Sequence, residues 1–142
     1  MGKINFFTCD TSFSVKNKRK IGNWLLEVLR KEKKPEVDSI NIIICSDKYL
    51  LDINRQFLNH DFLTDIITFT YSPEDKSLEG ELYISIDRVK ENSKNLNLPV
   101  EAEINRVIVH GILHLCGYND KRKEEKEFMR GLENRYLQLI NW

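Results

Sequence analysis

Several features are missing from this sequence of 142 residues, and each absence removes a class of protein. No apolar run approaches the roughly 20 residues that a membrane-spanning helix needs, so we expect no membrane association. The first residues, Met1–Phe13, lack the cationic segment and long apolar core of a secretory signal. Together these absences predict a cytoplasmic protein.

Cysteine is scarce and irregularly placed. Cys9, Cys45 and Cys116 are far apart, lie among apolar neighbours and form no Cys-x-x-Cys pair. Such spacing indicates neither a redox pair nor a zinc ribbon. We therefore expect three buried free thiols.

An excess of one charge is also missing, because 22 Lys and Arg residues balance 22 Asp and Glu residues. Zero net charge excludes the broad electropositive surface of a non-specific nucleic-acid binder. Basic clusters remain at 16–20, 30–34 and 121–123, and their simplest interpretation is solvated helix ends.

The residues that are present describe an ordinary globular domain. With 41% hydrophobic and 31% charged residues, the chain can bury a core, and no repeat or linker divides it, so we expect a single domain over 1–142. The predicted strands are Ile4–Cys9, Ser39–Ser46, Thr64–Tyr71 and Glu81–Ile86. Helices are predicted around Ile21–Leu29, after the cap Asp47, from Asp87 to about Leu96, from Ala102 to Leu115 and from about Lys123. This interspersed order predicts an α+β fold, a small mixed sheet of four strands with helices packed on it.

Three of these helices carry apolar side chains at the spacing of one face, which we expect to meet the core. The faces are Ile21, Trp24, Leu25, Val28 and Leu29 in the first helix, Tyr49, Leu50, Ile53 and Phe57 in the second, and Phe128, Leu132, Tyr136 and Leu139 in the last.

The helix predicted at 102–115 is apolar nearly all round, which indicates a buried central helix. Its His110 and His114 lie one turn apart on one side, so both imidazoles can reach one ion. Gly117 suits the left-handed residue that ends a helix, after which Asp120 can return its carboxylate towards the histidines. A histidine pair alone also occurs as two satisfied core side chains. With the third ligand and an open fourth position, however, the pattern predicts a catalytic zinc site.

The motif also lacks a residue that related motifs carry. Its spacing matches the long zinc-peptidase motif, but Gly111 stands where peptidases have the glutamate that acts as general base. Peptide cleavage also needs a proton for the leaving amine, whereas a phosphodiester presents charged oxygens that a metal and nearby cations can hold. The missing glutamate thus favours phosphate-ester hydrolysis, although the residues alone leave both reactions open.

Three blocks of the sequence resemble the YbeY family of bacterial endoribonucleases. The first is HGILHLCGY at 110–118, followed by a ligand at 120. The second is Asn54 with TDIITF at 64–69, similar to the family's Asn and TDVLSF, and the third is GELYIS at 80–85, similar to its Gly-Asp-Ile-hydrophobic-Ile-Ser strand. All three occur in the family's order and spacing.

The resemblance implies a metal-dependent endoribonuclease that cuts single-stranded RNA. It implies action in maturation of the 3′ end of the small-subunit ribosomal RNA and in ribosome quality control. Its expected cofactor is one zinc ion per chain on His110, His114 and Asp120, and its expected partners are ribosomal RNA and the small ribosomal subunit, bound by a monomer.

Two positions depart from the family. Its third ligand is normally histidine, and Asp120 is a harder, negatively charged donor that leaves the identity of the metal open. Its functional arginine falls on Leu58 in this chain. Arg55, one helical turn earlier, and His60 are therefore our candidates for catalytic contacts to substrate phosphate, with Arg106 as a further cation.

Two other functions stay open on the sequence. Leu58 and Asp120 motivate a non-catalytic RNA-binding factor of ribosome assembly whose metal is architectural. The histidine spacing motivates a minimal metallopeptidase, which Gly111 disfavours.

Overall fold

The computed structural model describes residues 3–34, 36–60, 63–71 and 77–142, so parts of the predicted domain 1–142 lie outside the described residues. The strands are β1 (Ile4–Thr8), β2 (Val37–Cys45), β3 (Ile66–Thr70) and β4 (Leu78–Ser85). The helices are α1 (Lys18–Lys31), α2 (Asp47–Leu58), α3 (Ile86–Leu96), α4 (Val100–Leu115) and α5 (Lys123–Leu137). Each predicted element is present, with ends that differ by a few residues.

The four strands form one mixed sheet in the order β1-β2-β4-β3. β1 and β4 pair parallel with β2, whereas β3 pairs antiparallel with β4 and takes the edge. Ile66 at the start of β3 lies opposite Ile84 near the end of β4. The α+β prediction with a four-stranded mixed sheet is therefore confirmed.

The helices cover both faces of the sheet. Ile40, Ile42 and Ile44 of β2 pack in the main core, which also contains the apolar faces of α1 and α4. Cys45 belongs instead to a smaller cluster with Leu50 and Ile53 of α2, because successive side chains of a strand point to opposite faces. The C-terminal half of β2 is thus buried on both sides.

Several side chains predicted to be buried are exposed. Phe57 is 63% exposed, Phe128 59% and Leu139 43%. In α5 the buried residues are Met129, Leu132, Glu133 and Tyr136. The buried face of α5 is therefore rotated relative to the predicted one, so that Phe128 points outwards. Glu133 lies on this buried face and makes its polar contacts inside the protein.

Two smaller predictions also need correction. Ser46 rather than Asp47 caps α2, because its hydroxyl accepts a hydrogen bond from the Tyr49 N–H at 3.1 Å. Among the cysteines, Cys45 is fully buried, whereas Cys9 and Cys116 are only partly buried.

The central helix α4 lies very close to the sheet at Gly111. A Cβ atom at this position would stand 2.6 Å from Ile66 Cδ1 and 3.0 Å from both terminal methyl groups of Leu82. Glycine permits this approach because it has no side chain. The position where peptidases carry glutamate therefore faces the apolar interior in this protein, and a carboxylate there would be buried without a partner.

None of the helices in the described part of the chain has both the length and the apolar character of a membrane span.

Replacing Gly111 by glutamate should therefore destabilise the fold by at least about 4 kcal/mol, because the carboxylate would be buried among hydrocarbon side chains. Gly131→Glu is the matched control, since Gly131 is an exposed helical glycine with no atom within 4 Å of a built Cβ. The control should stay within about 1 kcal/mol of wild type in urea unfolding. Equal stability of the two variants would contradict the close packing at Gly111.

Candidate metal centre

The end of α4 determines where the third ligand of the motif, the carboxylate of Asp120, lies. The Gly117 N–H donates to the His114 carbonyl at 3.0 Å, and the Tyr118 N–H donates to the Leu113 carbonyl at 3.2 Å. This pair of bonds is a Schellman ending, and Gly117 adopts the left-handed φ of 106° that it requires. The chain then turns back along the helix, so that Asp120 returns to the level of the histidines.

His110, His114 and Asp120 meet at one point. The two Nε2 atoms are 3.0 Å apart, and Asp120 Oδ2 lies 3.1 Å from His110 Nε2 and 3.4 Å from His114 Nε2. Donors bound about 2.0–2.1 Å from a tetrahedral zinc are about 3.3–3.4 Å from one another. The spacing of the three donor atoms thus fits a single small metal ion, and these residues form a group that can hold one.

The hydrogen bonds of the two imidazoles direct their Nε2 atoms to this point. His110 Nδ1 donates to Glu133 Oε2 at 2.5 Å, and His114 Nδ1 donates to the Tyr118 carbonyl at 2.9 Å. Because a carboxylate and a carbonyl can only accept, both Nδ1 atoms carry the proton. Each neutral ring then offers the Nε2 lone pair. The two Nε2 lone pairs and the negatively charged Asp120 oxygen repel one another unless a positive charge lies between them. The three donor atoms therefore fit a cation.

The electrostatic environment of His110 also favours positive charge. Burial of the ring lowers its pKa, but the hydrogen bond and the charge of Glu133, with smaller contributions from Asp120 and Asp65, raise it by more. The net pKa lies above the ordinary value for histidine. The surroundings that stabilise a protonated ring equally stabilise a cation on its Nε2 side.

Sequence reasoning did not identify Glu133 or Glu103 as part of this centre. Glu133 is 2% exposed and bonds His110, while Glu103 is fully buried and bonds the Arg106 guanidinium through both carboxylate oxygens, at 3.0 and 2.5 Å. A signal was available, because each glutamate interrupts an apolar helical face. Arg106 is not free to contact a substrate, since two internal carboxylates bind it.

A second set of contacts holds the loop that follows α4. The Tyr118 hydroxyl donates to Glu32 Oε1 at 2.6 Å, and the Tyr136 hydroxyl donates to the other oxygen of Glu32. The bond to Glu32, followed by burial, raises the pKa of Tyr118 to about 12, so the hydroxyl stays protonated. The Tyr118 carbonyl accepts a hydrogen bond from His114. The contact of Glu32 with the Tyr118 side chain therefore helps to fix the orientation of the second imidazole.

Comparison with known proteins places the chain in a family. The family model described as Endoribonuclease YbeY matches residues 4–141. The chain belongs to the endoribonuclease YbeY family. It is 46% identical over 136 residues to Endoribonuclease YbeY of Cytophaga hutchinsonii, covering 96% of this chain and 94% of that protein. It is 43% identical over 140 residues to the protein of the same name from Porphyromonas gingivalis, covering 99% and 91%.

A solved structure agrees with the fold. The solution structure of a Thermotoga maritima protein superposes with a TM-score of 0.66 at 29% sequence identity, covering 95% of this chain and 87% of that one. The architecture that brings the two histidines and the aspartate together is therefore shared with an experimentally determined fold.

The candidate phosphate-binding residues lie around the end of α2. Leu58 is the last residue of the helix and 40% exposed. Arg55 is exposed, with its Nη1 4.0 Å from Asp52 Oδ1, and His60 is exposed, with its backbone N–H donating to the Asn54 carbonyl at 3.1 Å. His60 does not join the three-residue donor group. Asp65, by contrast, is near enough to influence the pKa of His110.

Cys116 lies within the YbeY motif but takes no part in the donor group. Burial raises the pKa of its thiol to about 12, and burial likewise raises that of Cys45 to about 12. Both thiols are therefore protonated at neutral pH and poor nucleophiles.

At pH 8, iodoacetamide should alkylate Cys45 and Cys116 in the folded protein on the order of a thousandfold more slowly than in urea, since unfolding restores a pKa of about 8.5. Mass spectrometry of peptides after timed labelling measures each site separately, and the urea reaction is the internal reference. Rapid labelling of Cys116 in the folded protein would contradict the raised pKa of its partly buried thiol.

Proposed function

We propose that this chain is a metal-dependent endoribonuclease that cuts single-stranded RNA, and that it acts in 3′ maturation of small-subunit ribosomal RNA and in ribosome quality control. Two findings support the proposal: membership of the endoribonuclease YbeY family, and the convergence of His110, His114 and Asp120. The convergence is the observation that carries it, because it supplies a place where hydrolytic chemistry can occur.

In this proposal His110 Nε2, His114 Nε2 and Asp120 Oδ2 hold the ion. A divalent ion held by these three side chains would supply Lewis-acid chemistry, that is, polarisation of a phosphate oxygen and a lower pKa for a water molecule. The protein keeps both rings in the tautomer that presents Nε2 through the Nδ1 bonds to Glu133 and to the Tyr118 carbonyl. Both rings thus already direct Nε2 towards the place where the ion would bind.

We propose zinc as the ion, since two imidazoles and one carboxylate form an accepted ligand set for catalytic zinc. Asp120 brings a negative charge where the family's usual histidine is neutral. The donor set therefore offsets one of the two charges of a divalent ion and accepts a harder metal more readily than three histidines would.

The remaining parts of the proposal concern the substrate. Arg55 and His60 would contact the RNA phosphates, with the guanidinium of Arg55 as the stronger candidate because it stays charged at any physiological pH. The substrate would be ribosomal RNA in the small ribosomal subunit, and the protein would act on it as a monomer. The activity would then take place in the cytoplasm, where ribosomes are. The peptidase alternative loses its support, because Gly111 faces the sheet.

His114→Ala should reduce cleavage of a fluorescent single-stranded RNA at least about a hundredfold, because the ion loses one of three protein ligands. Elemental analysis should show metal lost in parallel, and circular dichroism should show the fold retained. Unchanged cleavage by the purified variant would identify a contaminating nuclease and contradict the proposal.

A non-catalytic RNA-binding factor with an architectural metal is the second candidate. It is favoured by Leu58, an exposed leucine on which the family's functional arginine falls. Removal of the metal with a chelator separates the two functions. The second candidate would be favoured if the metal-free protein had a lower melting temperature but kept its affinity for RNA, and if the metal-loaded protein did not cleave RNA.

Arg55→Ala and His60→Ala should each raise the KM for RNA about three- to tenfold while metal content stays constant, because each removes one exposed phosphate contact. The matched control is Arg19→Ala, an exposed arginine on α1. If Arg55→Ala and Arg19→Ala have the same KM, Arg55 does not bind the substrate.

A further inference from the structure

Three charged side chains are packed between α4 and α5 behind His110. Glu103 is fully buried and Glu133 is 2% exposed, which is unusual because an ionised carboxylate loses its hydration when it leaves water. Arg106 joins them: its Nε and Nη2 donate to Glu103 at 3.0 and 2.5 Å, and its Nη1 donates to Glu133 Oε1 at 3.2 Å.

The charges in this group do not balance. One guanidinium faces two buried carboxylates, and its two-point contact is with Glu103 rather than with Glu133. Among the described residues Arg130 is also near Glu133, but its Nε lies 3.7 Å from Oε1 and its side chain is 64% exposed, so water screens it. The two arginines therefore compensate the negative charge of Glu133 only in part.

The second oxygen of Glu133 points to the metal centre. Oε1 accepts from Arg106, which leaves Oε2 to accept the proton of His110 Nδ1 at 2.5 Å. His114 has only a neutral carbonyl, that of Tyr118, in the corresponding place at 2.9 Å. A carboxylate acceptor polarises an imidazole more strongly than a carbonyl does, so the two rings are unequal electron donors at Nε2.

We propose that Glu133 is a positioning residue that makes His110 the stronger metal ligand, and that Arg106 acts on the metal only through Glu133. This inference rests on the proposal that His110, His114 and Asp120 hold a metal ion. The surplus charge of Glu133 is balanced when a divalent cation lies on the far side of the His110 ring. Arg106 holds Oε1 so that Oε2 keeps its direction towards Nδ1.

A purely structural role would be different in its effects. If the network only joined α5 to α4, loss of the Glu133 charge would change the stability of the metal-free protein and leave metal affinity unaltered. The two roles therefore separate when zinc affinity and metal-free stability are measured on the same variant.

The test is Glu133→Gln, which keeps the size of the side chain and removes its charge. Zinc affinity, measured by competition with a chromophoric chelator, should fall about 10–100-fold, and the visible absorption spectrum of the cobalt(II)-substituted protein should shift. Glu127→Gln, an exposed glutamate on the same helix, is the matched control and should bind zinc as wild type does.

Arg106→Gln completes the experiment as the second arm of a double-mutant cycle. Alone it should weaken zinc binding about three- to tenfold, and in the Glu133→Gln background it should add less than about twofold. Wild-type zinc affinity and an unchanged cobalt spectrum in Glu133→Gln would overturn the inference, as would an undiminished effect of Arg106→Gln in that background. Failure of the wild-type chain to bind zinc or cobalt would instead overturn the proposed function.

Discussion

The candidate metal centre depends on the orientation of two imidazole rings on one buried helix. A histidine can present either nitrogen, and only an acceptor on Nδ1 forces Nε2 outwards as a lone pair. Here a carboxylate from α5 and a backbone carbonyl from the loop after α4 supply those acceptors. If either were displaced, the donor atoms would still be present, but they would no longer point to one place.

Much of the remaining architecture holds these acceptors in position. Helix α5 packs with Met129, Leu132 and Tyr136 inwards, which carries Glu133 to His110. Glu32 at the end of α1 bonds both Tyr118 and Tyr136, so a single carboxylate links α1, the ligand loop and α5. Gly111 lets α4 approach the edge of the sheet, at the cost of the glutamate that a peptidase would need. The same packing that builds the centre thus limits the chemistry available to it.

The centre also depends on how the chain brings a short carboxylate side chain back to the two histidines. Asp120 has a short side chain, yet its Oδ2 comes within 3.1 and 3.4 Å of the two Nε2 atoms. The Schellman ending at Gly117 makes this possible, since it reverses the chain within a few residues of His114. A carboxylate at this point adds charge to a region where Glu133 is already negative, and both charges favour a divalent cation over a neutral ligand.

Sequence alone was enough to predict the helices and strands, the mixed sheet and the grouping of His110, His114 and Asp120, because these follow from the periodicity and order of the segments and from spacing within one helix and its loop. It did not predict the inward positions of Glu103 and Glu133, the engagement of Arg106, or the exposure of Phe128. Those outcomes depend on how α5 rotates against α4, which is decided by contacts between residues 23 and 27 positions apart. Local patterns state which residues can share a helical face. Only the packed tertiary structure decides which face turns inwards, because burial of a charge is favourable only where its partner is already in place.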